Sequence, residues 1–527
     1  MAVSLLEQWP PVLSKVQLES LTLQATTYAL SHGLVYLPVA TVQPPAPTST
    51  IHAPLALFPS PFPRRLFQHA QRLQRIYNVL YARVAMDEEF LDRVMGEVEG
   101  VGKVDEFTGQ LWRRWRKLRD ENVPRPLQLG LFRSDYLAHA PGNGEPTSLK
   151  QVEFNTISSS FGALSERSAN LHRYLFKSTQ YYEVSSHLRE ENFPSNNTVA
   201  GLAEGLAEAH KAYGVPNARI LFVVQENERN VFDQRWIEYE LLEKHGIHVV
   251  RQTFRQLGQS VTVDSATRVL RITTPSGLLS DGSKSVEIST VYFRAGYTPT
   301  DYPTPEFYDT RYLLESSRAI QCPSIQLQLA GGKKVQQVLT NPGVLERFLG
   351  DSSRWGTEVF TPAELDELRS SWMDMWGLDE DVPNANPTSG PANECSGVRR
   401  ARELSAKLVL KPQREGGGNN VYKEAIPAFL DSLPVQEREA WIAMELIAAP
   451  EGLGNYLVRA GGGTEGAVKA EVISELGIFG WALFGGADGR VKEKEIGWLL
   501  RTKGKDSNEG GVAAGFSVLD SVLLIDD

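Results

Sequence analysis

The stretch KPQREGGGNNVY, residues 411–422, decides the fold of this chain. It follows a short apolar run that predicts a buried strand. Its three consecutive glycines, 416–418, leave backbone amides unshielded, so that they can form a nest around an anion. Lys411 and Arg414 add positive charge for phosphate, and Glu415 can hold a metal that bridges phosphate oxygens. The composition predicts a nucleotide-phosphate clamp without a Walker motif; a flexible surface hairpin is the alternative.

Length and composition limit the classes of protein to which the chain can belong. Its 527 residues are too many for one hydrophobic core, so two or three domains are expected. Apolar residues at 41% and charged residues at 22% are ordinary for a globular chain. The net charge of −10 argues against a nucleic-acid partner, because no basic excess is available to neutralise phosphates. No apolar run reaches the length of about 18 residues that a membrane span needs.

Cysteine usage and the start of the chain predict a cytoplasmic protein. The two cysteines, Cys322 and Cys395, indicate a reducing compartment, and neither lies in a pattern typical of structural zinc. The first residues, MAVSLLEQWPPVL, lack both a basic region and a long apolar core, so a secretory signal is not expected.

The first 216 residues predict helices around one β-hairpin. Four segments have helical periodicity: 15–33, 63–119, 164–190 and 198–213. The proline-rich segment 40–64 is expected to be a surface loop. Residues 127–138 and 150–157 predict two strands, separated by a turn at 141–146.

Polar residues stand at the end of each strand of this hairpin. Arg133 and Asp135 lie on the first strand. Glu153 and Asn155 project from one face of the second, because alternate residues of a strand point the same way. An acid and an amide there can coordinate Mg²⁺ through oxygen, although a solvated strand face is the alternative. The serines 158–160 that follow are donors for a small ligand, or simply a turn.

Residues 217–330 predict an α/β unit. Four short segments are rich in Val and Ile: 218–225, 247–254, 267–274 and 289–296. A helix at 232–244 between the first two suggests a βαβ unit. Polar residues follow the first strand, at the edge where open α/β sheets bind ligands: Glu228, Arg229, Asn230 and Gln234. Arg294, after the fourth strand, can bind a carboxylate. A helix cap for Asn230 and a surface ion pair for Arg294 are the alternatives.

The rest of the chain combines helices, strands and a second glycine-rich loop. Helices are expected across 307–350, and the second half of the long polar segment 351–400 is expected to be a mobile surface loop. Three segments predict strands: 441–447, 468–483 and 491–503. The second glycine-rich loop is 509–515.

Seven blocks spread over the whole chain resemble one family. They are EFNTISSSFG from residue 153, ENERNVFDQR from 226, YFRAGY from 292, QLAGGKKVQQ from 328, LVLKPQREGGGNNVY from 408, ISELGIFG from 473 and LLRTKGKDSNEGGVAAG from 499. Together they closely resemble the eukaryotic glutathione synthetases, which are ATP-grasp ligases. The resemblance implies an α/β (α+β) ATP-grasp fold with an inserted α/β substrate domain and a glycine-rich lid. The implied domains are 1–216 for the N-terminal part of the body, 217–330 for the insert and 331–527 for the nucleotide-binding and lid region.

The resemblance also implies an activity and its ligands. The implied reaction joins γ-glutamylcysteine to glycine with ATP and Mg²⁺, in a homodimer, and yields glutathione, ADP and phosphate. Catalytic roles are implied for Arg133, Lys411 and Arg501, and Mg²⁺ binding for Glu153, Asn155 and Glu415. The implied ATP-binding residues are Glu153, Lys333, Lys411, Glu415, Gly416, Gly417, Gly418, Asn419, Asn420, Tyr422, Met444, Glu445, Leu446, Ile447, Glu475, Lys503 and Glu509. The implied substrate-binding residues are Arg133, Ile157, Ser158, Ser159, Ser160, Glu228, Arg229, Asn230, Gln234, Arg294, Ala295, Gly296, Tyr297, Arg501, Val512 and Ala513.

Two features depart from the family pattern, and two rival functions remain. Glu509 stands where the family more usually has aspartate, and the segment 351–400 is longer than the pattern. One rival is a ligase that uses β-alanine or another amine in place of glycine. The other is a non-catalytic nucleotide-binding or scaffold protein, which would lack metal ligands or phosphate-binding cations. The chain retains all of these: Glu153, Asn155, Lys333, Lys411 and Glu415.

Overall fold

The computed structural model of the chain describes most of its length. The described residues are 8–39, 45–124, 127–142, 144–274, 284–356, 358–381, 394–414, 418–460, 466–507, 512, 515 and 517–526. Several predicted site residues lie outside them: Glu415, Gly416, Gly417, Glu509 and Ala513.

The helices of the described residues are mostly short. They are α1 (Lys15–Ser31), α2 (Arg64–Met86), α3 (Glu88–Met95), α4 (Glu106–Asp120), α5 (Gly162–Thr179), α6 (Thr198–Tyr213), α7 (Val231–His245), α8 (Phe254–Ser260), α9 (Pro305–Glu315), α10 (Ile325–Ala330), α11 (Lys333–Leu339), α12 (Val344–Leu349), α13 (Ser352–Trp355), α14 (Pro362–Ser370), α15 (Ser396–Glu403) and α16 (Ala425–Ser432). In this part of the chain no helix combines the length and the apolar character that a membrane crossing requires.

The strands form two larger sheets and two small ribbons. They are β1 (Val35–Tyr36), β2 (Ile51–His52), β3 (Leu55–Ala56), β4 (Ser60–Pro63), β5 (Gln128–His139), β6 (Ser148–Asn155), β7 (Arg219–Val224), β8 (Val249–Thr253), β9 (Val261–Val263), β10 (Leu270–Thr273), β11 (Ser285–Phe293), β12 (Ile320–Cys322), β13 (Met375–Gly377), β14 (Leu408–Pro412), β15 (Val421–Tyr422), β16 (Trp441–Glu445), β17 (Gly454–Val458), β18 (Val468–Phe484), β19 (Lys492–Gly504), β20 (Ser517–Asp520) and β21 (Val522–Ile525).

The main sheet is the frame of the molecule. Its central path runs β17-β3-β20-β19-β18-β5-β12-β11-β10-β9, with β6 added to β5, and with β7 and β8 added to β11. Helix α2 packs on β18, β19 and β5, and α5 and α6 pack on β19 and β18. Because side chains of a strand alternate between faces, Leu129 and Leu131 of β5 belong to one apolar core while Phe132 and Tyr136 belong to another. The sheet therefore separates two cores.

A second, four-stranded sheet has the order β13-β16-β14-β15. It is attached to the main sheet just after β5, where the backbone N–H of Ala140 donates to the carbonyl of Ala448 at 2.7 Å. The backbone N–H of Gln151 in β6 donates to the carbonyl of Ser371 at 2.6 Å. These bonds fix the second sheet beside the ends of β5 and β6.

The predicted βαβ unit is confirmed. Strands β7 and β8 are parallel and α7 connects them. Strand β11 runs parallel to β7 on its other side, and β12 continues the sheet to β5 through the pairing of Gln321 with Gln128. The strands of 217–330 thus extend the main sheet, and the division into domains at 216 and 330 stays a prediction.

The described part of segment 40–64, residues 45–64, is more ordered than predicted. It contains β2, β3 and β4, and Leu55, Leu57 and Phe58 are fully buried. Burial of these apolar side chains favours regular structure despite the prolines. Among the described strands β4, which contains Pro61 and Pro63, pairs with β21 alone, in a two-stranded ribbon that tolerates proline.

One helix prediction was too long, and the helices expected across 307–350 form but are interrupted by a strand that was not predicted. The segment 164–190 forms α5 only as far as Thr179, because Gln180, Tyr181 and Tyr182 take positive φ values of 48°, 46° and 55°. The segment 307–350 is broken into α9 to α12 with β12 between them. The breaks fall at Pro323, at Gly331-Gly332 and at Pro342-Gly343, residues that interrupt helices.

The segment 351–400 has regular structure on both sides of the loop that was expected in its second half. It contains α14, whose N-terminus has a capping box between Thr361 and Glu364, as well as β13 and α15. Most of the part predicted to be mobile, 382–393, lies outside the described residues.

Candidate active site

A cavity of about 1040 Å³ lies between the main sheet and the four-stranded sheet. It gathers residues that are far apart in the sequence and were predicted separately. Those that line it are Arg133, Glu153, Asn155, Ile157, Ser158, Ser159, Ser160, Tyr297, Lys333, Lys411, Asn419, Asn420, Tyr422, Met444, Glu445, Leu446, Ile447, Glu475, Arg501, Lys503 and Val512. Apart from Gly418, the predicted catalytic, nucleotide and metal residues that the structure describes therefore line one cavity.

Strand register sets the charged floor of the cavity. On neighbouring β5 and β6, Arg133 is opposite Asn155 and Asp135 is opposite Glu153. On the other side of β5, Glu475 of β18 is opposite Arg501 of β19. Cross-strand partners lie close together, so the sheet itself places acids and bases side by side.

Asp135 is the centre of this arrangement. Its carboxylate is fully buried and accepts bonds from Arg133 Nε at 2.6 Å and Arg133 Nη2 at 2.7 Å. It also accepts bonds from Asn155 Nδ2 at 3.0 Å and Arg501 Nη2 at 3.1 Å. One carboxylate thus orients two arginines and an asparagine. In the sequence, Asp135 is recognisable only as a polar residue two positions after Arg133. Because residues two apart on a strand project from the same face, this spacing is the one sequence signal that Asp135 contacts Arg133.

Gly477 makes room for this cluster. It lies opposite Asp135 on β18. A Cβ at this position would come within 2.9 Å of Arg133 Cδ and 2.9 Å of Asp135 Oδ1. Any larger residue would push the two side chains apart, so the glycine is required by close approach.

Arg501 is shared between two acids. Its Nη2 contacts Glu475 as well as Asp135. Burial lowers the pKa of Arg501, but Glu475 and Asp135 outweigh this effect and raise it above the usual value. Burial also raises the pKa of Glu475, although the Arg501 guanidinium opposes this. Arg501 therefore stays charged, while burial favours the protonated form of Glu475.

Glu153 stands between two lysines. Lys333 Nζ donates to Glu153 Oε2 at 2.9 Å, and Lys411 Nζ donates to the carbonyl of Val152 at 2.9 Å. Burial raises the pKa of Glu153, but the ammonium groups of Lys333 and Lys411 outweigh it and hold this pKa well below its usual range. The Glu153 carboxylate is accordingly ionised, and both ammonium groups lie near an anion.

Asn155 has the geometry of an oxygen donor. Its Nδ2 donates to the carbonyl of Arg133 at 3.3 Å and to Asp135. Both amide hydrogens are thereby used, which leaves the side-chain oxygen for another partner in the cavity that Asn155 lines. Among the described residues no three His, Cys, Asp or Glu side chains form a metal-binding group. An ionised carboxylate with one amide oxygen is nevertheless a set that suits Mg²⁺, which completes its shell with water and phosphate oxygens.

The opposite wall of the cavity includes several apolar side chains. Val409 of β14 and Met444 of β16 are buried cross-strand partners, and Tyr422 of β15 pairs with Val409 on the other side. Leu446 and Ile447 follow β16 and also line the cavity. Apolar side chains opposite a charged floor suit a ligand with an aromatic base and a phosphate chain.

The serine loop between β6 and α5 is held by two arginines. Arg133 Nη1 donates to the carbonyl of Ser160 at 3.1 Å, and Arg294 Nη1 donates to the carbonyl of Ser159 at 3.0 Å. Ser158 has a positive φ of 52° and its Oγ donates to the carbonyl of Phe293 at 3.2 Å. These contacts present the loop to the cavity.

Several predicted substrate residues lie beside the cavity and do not line it. Glu228 accepts bonds from the backbone N–H of Asn230 at 2.7 Å and from Gln234 Nε2 at 3.2 Å. Arg294 is buried behind the serine loop. Arg229 is directed elsewhere, since its Nε donates to the carbonyl of Leu37 at 3.1 Å. The other predicted substrate residues outside the lining are Asn230, Gln234, Ala295 and Gly296, and the predicted ATP-binding residue Gly418 is outside it as well.

Comparison with known proteins identifies the family of the chain. The family model described as eukaryotic glutathione synthase, ATP-binding domain, matches residues 15–524. The chain belongs to the eukaryotic glutathione synthetase family. It is 38% identical to glutathione synthetase of Homo sapiens, over 97% of this chain and 98% of that protein. It is 36% identical to the glutathione synthetase large chain of Schizosaccharomyces pombe, over 96% of this chain and 98% of that protein.

A solved structure has the same overall fold. The glutathione synthetase-like effector from Globodera pallida, in its apo form, superposes with a TM-score of 0.71. The sequences are 25% identical, and the match covers 98% of each chain. Membership of the family confirms the predicted ATP-grasp fold class, the use of ATP and the predicted class of enzyme, an ATP-dependent ligase.

Proposed function

We propose that the chain joins γ-glutamylcysteine to glycine at the expense of ATP, and that its cavity holds the three substrates at the residues described above. The observation that carries this proposal is the charge pattern of the cavity floor. Two lysines flank the Glu153 carboxylate, and two arginines flank the Asp135 carboxylate. The first group suits a phosphate chain with its metal, and the second suits substrate carboxylates.

The reaction needs an activated carboxyl group, because hydroxide is a poor leaving group. Transfer of the terminal phosphoryl group of ATP to the cysteinyl carboxylate forms an acyl phosphate and releases ADP. The amine of glycine then attacks the acyl carbon, the C–O bond to phosphate breaks, and the amide loses a proton. Such chemistry depends on positioning and on neutralising charge, which the lysines and arginines of the floor provide.

Lys333 and Lys411 are proposed to bind the phosphate chain. Both side chains are almost fully buried, with Lys333 4% and Lys411 6% exposed, and both approach strand β6. A buried ammonium group is stabilised only beside an anion, and a bound polyphosphate supplies more negative charge than Glu153 alone. Arg133 and Arg501 are proposed to bind the carboxylates of the peptide substrate, with Asp135 fixing the planes of their guanidinium groups.

Mg²⁺ is proposed to be held by Glu153 and Asn155, together with Glu415, which lies outside the described residues. Bound there, the ion would neutralise phosphate charge as the phosphoryl group moves. The observation that supports this proposal is that the ionised Glu153 carboxylate and Asn155 lie two residues apart on β6 and both line the cavity.

We also propose a homodimer and a cytoplasmic location. Helix α1 presents Val16, Leu23 and Leu30 at intervals of seven residues, with 75%, 68% and 52% of each exposed. An exposed apolar stripe on one helix face suits a second copy of the chain. Sedimentation of the purified protein and of Leu23→Glu tests this; a wild-type monomer would contradict it.

Cys322 and Cys395 are both free thiols, which suits a reducing compartment, and cell fractionation tests the location.

The product identifies the amine. The protein is incubated with Mg-ATP, γ-glutamylcysteine and an equimolar mixture of glycine and β-alanine, and the tripeptides are separated by mass. The proposal expects glutathione as the main product. A main product containing β-alanine would assign the chain to the rival ligase, and no tripeptide with either amine would favour the non-catalytic rival.

A further inference from the structure

Gln413 is a buried amide that joins three elements beside the active site. It lies directly after β14, is 6% exposed and does not line the cavity. Its Oε1 accepts a hydrogen bond from the backbone N–H of Lys334 in α11 at 3.1 Å. Its Nε2 donates at 3.2 Å to the carbonyl of Ala440, the residue before β16. This one side chain therefore bonds α11 to two neighbouring strands of the four-stranded sheet.

The start of α11 takes its acceptor from another part of the chain. The residue that precedes the helix is Gly332, which has no side chain, and the first N–H groups of a helix have no partner within the helix. Gln413 supplies an acceptor to one of them from β14. A Cβ at position 332 would come within 3.2 Å of Gln413 Oε1, so glycine there permits the close approach of the two segments.

The elements that Gln413 joins carry the two lysines proposed to bind the phosphate chain. Lys333 is the first residue of α11, and Lys411 lies in β14. Their ammonium groups reach adjacent residues of β6, at 2.9 Å from the Glu153 carboxylate and 2.9 Å from the carbonyl of Val152. The placement of α11 against β14 therefore sets how far apart the two ammonium groups lie.

We propose that Gln413 is a positioning residue for the nucleotide, which fixes the separation of Lys333 and Lys411 so that both ammonium groups fit one phosphate chain. Phosphoryl transfer depends on such placement, and an error of about 1 Å can lower a rate about 100-fold. This inference rests on the proposed role of the two lysines. It adds to that role a residue that acts through them.

Helix α11 keeps other anchors when Gln413 is changed. Lys334 Nζ contacts Glu380 at 3.0 Å, and Gln336 Nε2 donates to Gln151 Oε1 at 3.4 Å. Loss of the Gln413 amide should therefore displace the start of the helix and leave the fold intact. The expected consequence is a selective loss of nucleotide affinity, which a general loss of stability would not produce.

Calorimetric titration with Mg²⁺ and the non-hydrolysable ATP analogue AMP-PNP tests this role. Gln413→Met nearly keeps the size of the side chain and removes both hydrogen bonds, so it should weaken binding at least about tenfold. Gln413→Asn keeps the amide on a shorter stem and should weaken binding by a smaller factor. Wild-type affinity in both variants would overturn the proposal.

Gln321→Met is the matched control. Gln321 lies in β12, is 2% exposed and does not line the active-site cavity, and its Nε2 donates to the carbonyl of Leu314 at 3.0 Å. The control therefore also loses a buried amide, but at a distance from both lysines in the fold. It should bind AMP-PNP as the wild type does, and weakening equal to that of Gln413→Met would overturn the proposal.

A double-mutant cycle tests whether Gln413 acts through Lys333. On a Lys333→Met background, Gln413→Met should weaken AMP-PNP binding by less than about twofold, because the lysine that it positions is gone. The same loss of affinity with and without Lys333 would overturn the proposal.

Kinetics separate this inference from the proposed function. The KM for ATP of Gln413→Met should rise while its KM for γ-glutamylcysteine stays near that of the wild type, and equal rises in both would overturn the positioning role. If the wild-type chain binds AMP-PNP but forms no glutathione, the proposed function fails and the calorimetric comparison still decides the role of Gln413. A wild-type chain that does not bind AMP-PNP would overturn the inference itself.

Discussion

Arg133 and Asp135 form a two-point ion pair in the floor of the cavity, with Nε–Oδ1 at 2.6 Å and Nη2–Oδ2 at 2.7 Å. Two parallel bonds fix the plane of the guanidinium group, which a single contact would leave free to rotate. The residues are two apart on β5, and both are almost fully buried. The pair therefore leaves Arg133 Nη1 for the carbonyl of Ser160, and so joins the charged floor to the serine loop.

Asp135→Asn should damage both the fold and the reaction. The substitution removes the negative charge that pairs with the buried Arg133 and Arg501. Removing one partner of a buried ion pair lowers the free energy of unfolding by about 3–5 kcal/mol. We expect a rise in the KM for γ-glutamylcysteine in the protein that still folds. Chemical denaturation and initial-rate kinetics measure the two effects.

Asp135→Glu is the companion variant. It keeps the charge and adds one methylene group, so stability should recover more than activity. If Asp135→Asn had wild-type stability and wild-type KM, Asp135 would have no positioning role.

Glu153→Gln should raise the Mg²⁺ concentration needed for activity and lower kcat about 100-fold. The substitution keeps the size of the side chain and removes the charge that faces Lys333 and Lys411. Phosphate release measured over a range of Mg²⁺ concentrations gives both quantities. Glu493→Gln on β19, outside the cavity lining, is the control and should behave as wild type. Wild-type kcat at saturating Mg²⁺ in Glu153→Gln would refute the metal role.

Arg501→Lys should retain the fold and lose substrate affinity. A lysine preserves the positive charge but replaces the planar guanidinium that Asp135 and Glu475 share. We expect kcat/KM for γ-glutamylcysteine to fall at least about 10-fold, the factor that corresponds to 1.4 kcal/mol. Arg318→Lys, which alters a surface pair with Glu287 at 3.2 Å, is the matched control. Equal effects of the two substitutions would contradict the role of Arg501.

Asp520 should make stability depend on pH. It is fully buried beside the hydroxyl groups of Ser60 and Thr502, and burial raises its pKa to about 7. The folded state therefore holds a proton on Asp520 that the unfolded state loses near pH 4. The free energy of unfolding should fall as pH rises from about 4 to 7, relative to Asp520→Asn, and then level off. Denaturation of both proteins at several pH values checks this; parallel curves would rule it out.

Much of the active site could be predicted from the sequence, because its residues lie in contiguous motifs. The spacing of Glu153 and Asn155 on one strand face predicts a metal site, and the lysine before the glycine triplet predicts a phosphate site. The position of Asp135 as the centre of four hydrogen bonds could not be predicted. It depends on the pairing of β5 with β6 and on the approach of Arg501 from β19. Local periodicity in the sequence does not indicate which residues of distant strands lie opposite each other.

The fold was predicted less completely where the local residue types favoured one structure and the burial of side chains favoured another. Prolines in 40–64 indicated a loop, yet the burial of Leu55 and Phe58 makes strands there. The four-residue run Gln180–Glu183 ended a helix although it contains neither glycine nor proline. In both segments tertiary contacts overrode propensity.

The most direct test of the central claim is phosphate release by the purified protein with Mg-ATP and γ-glutamylcysteine, with and without glycine. If the cavity forms an acyl phosphate that only the amine consumes, release should be rapid when glycine is present and slow when it is absent. Release at the same rate without glycine, or no release in either mixture, would contradict the account.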